Sequence, residues 1–137
     1  MKKVLLLSTL SLIVAGCSKD KVNKELREFI RSQEHDEYLI GWWVNTDDAD
    51  SYILYDDVDF KKIHAYRDKD GVVSKEDSHH YWYTKDGELY SLREATPLTG
   101  ILESHVPYRL SDDKQTLMMK DANGQFFDAY RKVDPPL

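Results

Sequence analysis

Beyond position 38 the chain alternates short apolar runs with polar turn signals. The runs cover residues 39–45, 51–56, 60–67, 72–75, 79–84, 88–93, 105–110, 115–120 and 125–133. Three of the intervening segments contain Asp-Gly or Asn-Gly, pairs that tolerate the positive φ angles of tight hairpins. Short strands at such regular spacing are typical of antiparallel sandwiches and barrels. We therefore predict a mainly β fold, an antiparallel sandwich or barrel.

A different periodicity precedes the strands. Val22, Leu26, Phe29 and Ile30 fall on one face of a helix, and charged side chains fall on the other. This pattern predicts an amphipathic helix over 23–34 and a single domain over 23–137. The run 39–45 is apolar on both strand faces, so we expect this helix to cover it. The alternative is that the helix lies on a bilayer surface.

The first 17 residues have the pattern of an export signal. A basic start, Met1-Lys2-Lys3, is followed by an apolar run to Val14 and then by small residues before Cys17. The run is too short to cross a membrane as a helix, which takes roughly 20 apolar residues.

The ending Val-Ala-Gly-Cys resembles the lipobox of bacterial lipoproteins. The resemblance implies that a signal peptide, residues 1–16, is removed and that Cys17 carries the lipid, palmitate being a typical acyl chain. Residues 17–22 would then form the tether. No aspartate follows the cysteine, which implies an outer-membrane lipoprotein facing the periplasm or the cell surface.

Charge and cysteine content narrow the possible functions. Removal of Lys2 and Lys3 leaves 17 basic and 25 acidic side chains, a net charge of −8. Such a chain lacks the electrostatic attraction that nucleic-acid binding needs, so we expect no nucleic-acid partner. Anionic membranes repel it, so we expect the lipid to be its only membrane contact. Cys17 is the only cysteine, so the domain folds without a disulfide.

The helix and the hairpins together resemble the lipocalin-like domains of small bacterial lipoproteins. The resemblance implies a small antiparallel barrel, or a flattened barrel, of about eight strands. Gly41 and Trp43 match the Gly-x-Trp motif that opens the first lipocalin strand. The resemblance implies that a basic residue of the last strand packs over this tryptophan, and Arg131 is the candidate. The run of strands is shorter than in secreted lipocalins and lacks their disulfide. A small barrel is nearly filled by its own side chains, so the resemblance does not by itself imply a cavity.

Motifs for catalysis and for metal binding are missing from the sequence. His79 and His80 are adjacent and would point to opposite faces of a strand, and no zinc spacing is present. The acidic segments 47–50 and 56–59 do not match a calcium loop. No nucleophile elbow or phosphate loop occurs. We expect a protein that is not an enzyme and that uses no cofactor and no metal.

Aromatic residues supply the remaining candidate site. Rings with a polar tip suit ligand mouths and interfaces. The candidates for ligand or partner binding are Tyr66, Tyr81, Trp82, Tyr83 and Tyr90. The sequence favours a lipid-anchored binding module for an apolar small molecule or an envelope protein. The alternative is a periplasmic inhibitor or immunity protein whose acidity suits a basic toxin or hydrolase.

Overall fold

The computed structural model describes residues 18–137. The expected signal peptide, residues 1–16, and the expected lipidation site, Cys17, lie outside the described residues. No helix within residues 18–137 is long and apolar enough to cross a membrane.

Eight antiparallel strands form one ring-like sheet, in which each strand pairs with the next and the last pairs with the first. The strands are β1 Gly41–Asn45, β2 Ser51–Tyr55, β3 Lys61–Arg67, β4 Val73–Lys85, β5 Glu88–Arg93, β6 Leu102–Leu110, β7 Thr116–Lys120 and β8 Phe126–Val133. The mainly β prediction is confirmed. The nine apolar runs become eight strands because the runs 72–75 and 79–84 join in β4.

The turns between strands contain the positive φ angles and the aspartate hydrogen bonds that are typical of such sequences. Asp86 and Gly87 both have positive φ, at 52° and 78°, and they connect β4 directly to β5. Acidic side chains hold the longer turns: Asp68 Oδ1 accepts hydrogen bonds from the amides of Asp70 and Val72. Asp56 accepts in the same way from Val58 and Asp59. These aspartates therefore stabilise turns by bonding their own backbone.

The interior of the ring contains the largest buried side chains. Trp43, Trp82, Tyr55 and Leu117 are fully buried there. The Trp43 indole donates to the carbonyl of Leu39 at 2.8 Å, and the Trp82 indole donates to that of Asp56 at 3.0 Å. Because both polar N–H groups have partners, the two indoles can be buried without an unsatisfied donor.

The one α-helix within residues 18–137, α1, spans Lys19–Arg31 and starts earlier than predicted because Ser18 caps it. Its apolar stripe packs on the outer face of β4 and β5, with side chains shared between these elements: Val22, Leu26, Phe29, Ile30, Tyr81, Tyr83, Tyr90 and Leu92. The stripe is thus buried against the sheet. The prediction that this helix covers the strand of residues 39–45 is wrong.

The outer face of β1 has a different cover. Trp42 packs against Tyr52 of β2 and Ala65 of β3, and its exposed fraction is 9%. The Arg67 guanidinium lies over the Tyr52 ring, 5.4 Å from its centroid. Neighbouring side chains of the sheet therefore shield the apolar outer face of β1.

The Gly-x-Trp motif has a basic partner, but it is Lys132 and not Arg131. Trp43 pairs with Lys132 in the β1–β8 register, and the Lys132 ammonium lies 4.6 Å from the indole centroid. It also donates to the carbonyl of Ile40. Gly41 has a φ of 123°, and a Cβ there would come within 3.0 Å of the ammonium, so glycine is required. Arg131 pairs with Val44 on the opposite face and is exposed.

Candidate functional site

The inward-facing side chains change from apolar to basic where β3, β4 and β5 meet. Their registers place Lys62 opposite His80 and His80 opposite Arg93, so that these three residues share one face. His64 lies two positions beyond Lys62 on the same face of β3. We call Lys62, His64, His80 and Arg93 the basic cluster.

The ammonium of Lys62 has few polar partners. Its hydrogen bond within residues 18–137 goes to the Ser91 hydroxyl at a long 3.4 Å, and no carboxylate of the described chain forms an ion pair with it. The Nε of Arg93 is buried without a hydrogen-bond partner. Two cationic groups thus face the interior with fewer partners than buried charges need.

A small cavity lies directly at the Lys62 ammonium. It has a volume of about 190 Å³ and is lined by Lys62, His80, Ser91, Leu102, Glu103 and Ser104. Ser91 and Ser104 pair across β5 and β6, so their hydroxyls face the same space. Two hydroxyls, an ammonium and an imidazole are donors suited to a carboxylate or phosphate group.

Burial and mutual repulsion set the charge state of the cluster. Burial lowers the pKa of the Lys62 ammonium below its ordinary value. Burial lowers the pKa of His64, and the Lys62 charge lowers it further. The pKa of His80 is lowered by burial and then by Lys62, His64 and Arg93. Glu76 is the one carboxylate that acts in the opposite direction on both histidines. An anion bound here would relieve this repulsion.

An irregularity in β4 orients the two adjacent histidines. The β3–β4 register shifts between Lys62 and His64, and His79 has a positive φ of 55°. As a result His80 faces the cluster, where its Nδ1 lies 2.7 Å from the Ser78 hydroxyl, whereas His79 is exposed outside. Within residues 18–137 no group of three or more His, Cys, Asp or Glu side chains is arranged to hold a metal ion.

Exposed apolar side chains border the basic cluster. The Tyr66 ring stacks beside His64, with centroids 6.4 Å apart, and is 47% exposed. Leu102 pairs with Arg93, lines the cavity and is also 47% exposed. Cationic donors of the basic cluster thus lie next to the apolar side chains of Tyr66 and Leu102. This combination suits a small anion with an apolar part.

The structure does not bring the five predicted binding aromatics together. Trp82 is fully buried inside the ring, and Tyr81 and Tyr83 are buried beneath α1. Tyr90 stacks on Tyr83 with the centroids 4.5 Å apart. Tyr66 alone is substantially exposed. The helix α1 covers the face of β4 that carries Tyr81 and Tyr83, so these two rings are not available to a ligand.

A larger cavity of about 580 Å³ lies between α1 and the loop that follows β5. Two charged side chains that line it form an ion pair, in which Arg27 Nη1 lies 2.8 Å from Glu94 Oε2. The Tyr81 hydroxyl donates to the same oxygen at 2.6 Å. This ion pair holds the helix on the sheet. The basic cluster, whose charges lack such partners, is the stronger candidate site.

Sequence reasoning missed the basic cluster because its members are far apart along the chain. One signal was present: β3 carries Lys62, His64 and Tyr66 on one face and Ile63 and Ala65 on the other. Alternation alone would point the apolar face inward.

No protein family, curated protein or solved structure matches the chain significantly.

Proposed function

We propose that this chain is a lipid-anchored envelope protein that binds a small anionic molecule inside a lipocalin-like ring, without catalysing a reaction. The export signal and the Val-Ala-Gly-Cys sequence support lipidation at Cys17 and an outer-membrane location. The order of helix, Gly-x-Trp strand and hairpins, with a cation over Trp43, supports the lipocalin-like assignment.

The observation that carries the binding proposal is the Lys62 ammonium facing a cavity without a carboxylate partner. A half-buried charge without a counter-charge is costly, so such groups are retained for a function more often than for stability. A cavity of about 190 Å³ takes a carboxylate or phosphate group and little more. An apolar part of the ligand would lie against Leu102 and Tyr66.

The remaining interior argues against a fully apolar ligand. The apolar section of the ring is filled by Trp43, Trp82, Tyr55 and Leu117, each fully buried. A neutral hydrocarbon would therefore have to displace core side chains, whereas an anion would satisfy donors that lack partners.

Calorimetry and thermal unfolding of residues 18–137 test this proposal. Inorganic phosphate, dodecanoate and the neutral dodecanol serve as probes. We expect the two anions to bind and to raise the melting temperature, with dodecanoate stronger than phosphate and dodecanol inactive. Lys62→Gln should abolish both effects, and the exposed Lys69→Gln should preserve them. Equal protection by dodecanol, or full retention of anion binding in Lys62→Gln, would contradict the proposal.

Membrane anchoring has a separate test. Cys17→Ser in the full chain should move the protein from the membrane fraction to the soluble fraction of the envelope, and the wild-type chain should carry the mass of the lipid. Retention of the Cys17→Ser variant in the membrane would refute the lipobox assignment.

A further inference from the structure

The loop that joins β5 to β6, residues 94–101, presents the most exposed apolar side chain of the described chain. Leu98 is 95% exposed, and Pro97 beside it is exposed as well. Leu98 lies in a turn that is closed by hydrogen bonds. Thr96 and Thr99 exchange backbone hydrogen bonds at 3.0 and 3.3 Å, and their hydroxyls lie 2.9 Å apart. The Leu98 amide also donates to the Thr96 hydroxyl. The hydrogen-bonded turn therefore keeps the Leu98 side chain exposed to solvent.

A buried side chain ties this loop to the start of α1. Asn23 is 4% exposed, accepts a hydrogen bond from the Ala95 amide at 2.7 Å and donates to the Ala95 carbonyl at 3.0 Å. Lys19 and Pro97 line the same cavity between these segments. The loop and the first turn of the helix thus form one unit at one end of the molecule.

The expected lipid attachment point belongs to the same end. The described chain begins at Ser18, the cap of α1, and Cys17 is its covalent neighbour, one Cα–Cα step of about 3.8 Å away. A lipid on Cys17 would leave little free chain between the bilayer and the first helical turn. This end of the molecule would then lie at the membrane surface.

The charge of the first helical turns fits that position. Residues 18–24 contain Lys19, Lys21 and Lys24 and only one acid, Asp20. All four side chains are exposed. A local excess of positive charge in a chain of net negative charge attracts anionic headgroups next to the anchor.

We propose that Leu98 and the lysines of the first helical turns form a second membrane contact, with Leu98 inserted among the lipids and the lysines against anionic headgroups. This inference rests on the proposed lipidation of Cys17. It replaces the sequence-based expectation that the lipid is the only membrane contact. It also orients the domain, since a lipid alone leaves an anchored domain free to turn.

Site-specific fluorescence tests this contact on the full, lipidated chain. A lipid on Cys17 leaves the chain without a free thiol, so Leu98→Cys can carry one environment-sensitive dye. Val58→Cys is the matched control, because Val58 is also an aliphatic side chain in a turn, is 74% exposed and lies at the opposite end of the ring. Both proteins are reconstituted into vesicles of phosphatidylethanolamine with phosphatidylglycerol as the anionic lipid.

We expect the dye at position 98 to shift its emission to shorter wavelength and to be quenched by bromine-labelled lipid. The dye at position 58 should keep the spectrum of the protein in water. Equal spectra at the two positions in a protein whose mass shows the lipid on Cys17 would overturn the membrane contact alone. A mass without the lipid would overturn the anchoring and, with it, this contact.

Discussion

Replacing Lys62 by Met should make the unliganded protein more stable. The substitution keeps a side chain of similar length and removes a charge that faces the interior without a carboxylate partner. The lost hydrogen bond to Ser91 is 3.4 Å long and contributes little. Replacing an uncompensated interior charge by a well-fitting apolar side chain should raise the free energy of unfolding by about 1–3 kcal/mol.

The gain should depend on pH in a defined direction. Burial lowers the pKa of Lys62 below 10.5, so the unfolded chain binds the proton more tightly than the folded one. Wild-type stability therefore rises with pH between the folded pKa and 10.5. The advantage of the methionine variant should be full at neutral pH and should shrink as the pH approaches 10.5.

Urea unfolding of residues 18–137, followed by tryptophan fluorescence, measures this difference. The gain corresponds to roughly 3–6 °C in melting temperature for each kcal/mol in a domain of this size. The exposed Lys69→Met variant is the control and should change the unfolding free energy by less than about 0.5 kcal/mol. If Lys62→Met is less stable than the wild type without added anion, the Lys62 charge is compensated in the native protein and the argument for the site fails.

Three further predictions concern the core, the loop attachment and the histidines. Trp43→Ala should lower the unfolding free energy by about 3–5 kcal/mol, because a fully buried indole is lost; a loss below about 1 kcal/mol in urea unfolding would contradict its core position. Asn23→Ala should cost about 2–4 kcal/mol and speed hydrogen exchange of the Ala95 amide, since two buried backbone groups lose their partner; unchanged exchange would refute this role. Sulfate, which keeps two negative charges throughout this range, should raise the melting temperature more at about pH 5.5 than at about pH 7.5, because His64 and His80 bind more protons at the lower pH. Calorimetric scans at both pH values measure the two shifts, and equal shifts would exclude a contribution of the histidines.

The sign of the histidine effect follows from their lowered pKa values. Both folded pKa values lie below 6.5, so the unfolded chain binds protons first as the pH falls. Without an anion, the free energy of unfolding should therefore decrease as the pH drops below 6.5. The decrease should end once the pH is below the pKa of His64 and His80 in the folded protein. Lys62 and Arg93 oppose protonation and Glu76 favours it. A bound phosphate should reduce this acid sensitivity.

The strands were predictable because their limits are local. Asp86-Gly87 specifies a two-residue hairpin through its own φ preferences, and the acidic turns close on their own side chains. The joining of the runs 72–75 and 79–84 was not predictable from such rules. The polar segment between them belongs to β4 although β3 pairs with it only at Glu76, opposite His64, and the register shifts before pairing resumes at His80.

The inward face of β3 shows why the site escaped prediction. Alternation identifies two faces but not which one points into the ring, and a rule that buries the apolar face would turn Ile63 and Ala65 inward. In the structure Ala65 instead packs outside against Trp42 and Tyr52, which leaves Lys62 and His64 inside. Register with distant strands decides this choice, as it does for Lys132 over Arg131.

Ring closure between β1 and β8 has a consequence for how the chain reaches its native state. Asn45 pairs with Tyr130 and Trp42 with Val133, so the first strand gains its second neighbour only when the last strand is present. Contacts between such distant positions slow folding, since a long loop must close before the pairing stabilises it. Until then β1 and β7 are both edges open to pairing with another chain. A chain that is still being synthesised therefore cannot complete its fold, and loss of the last eight-residue strand would leave a sheet prone to aggregation.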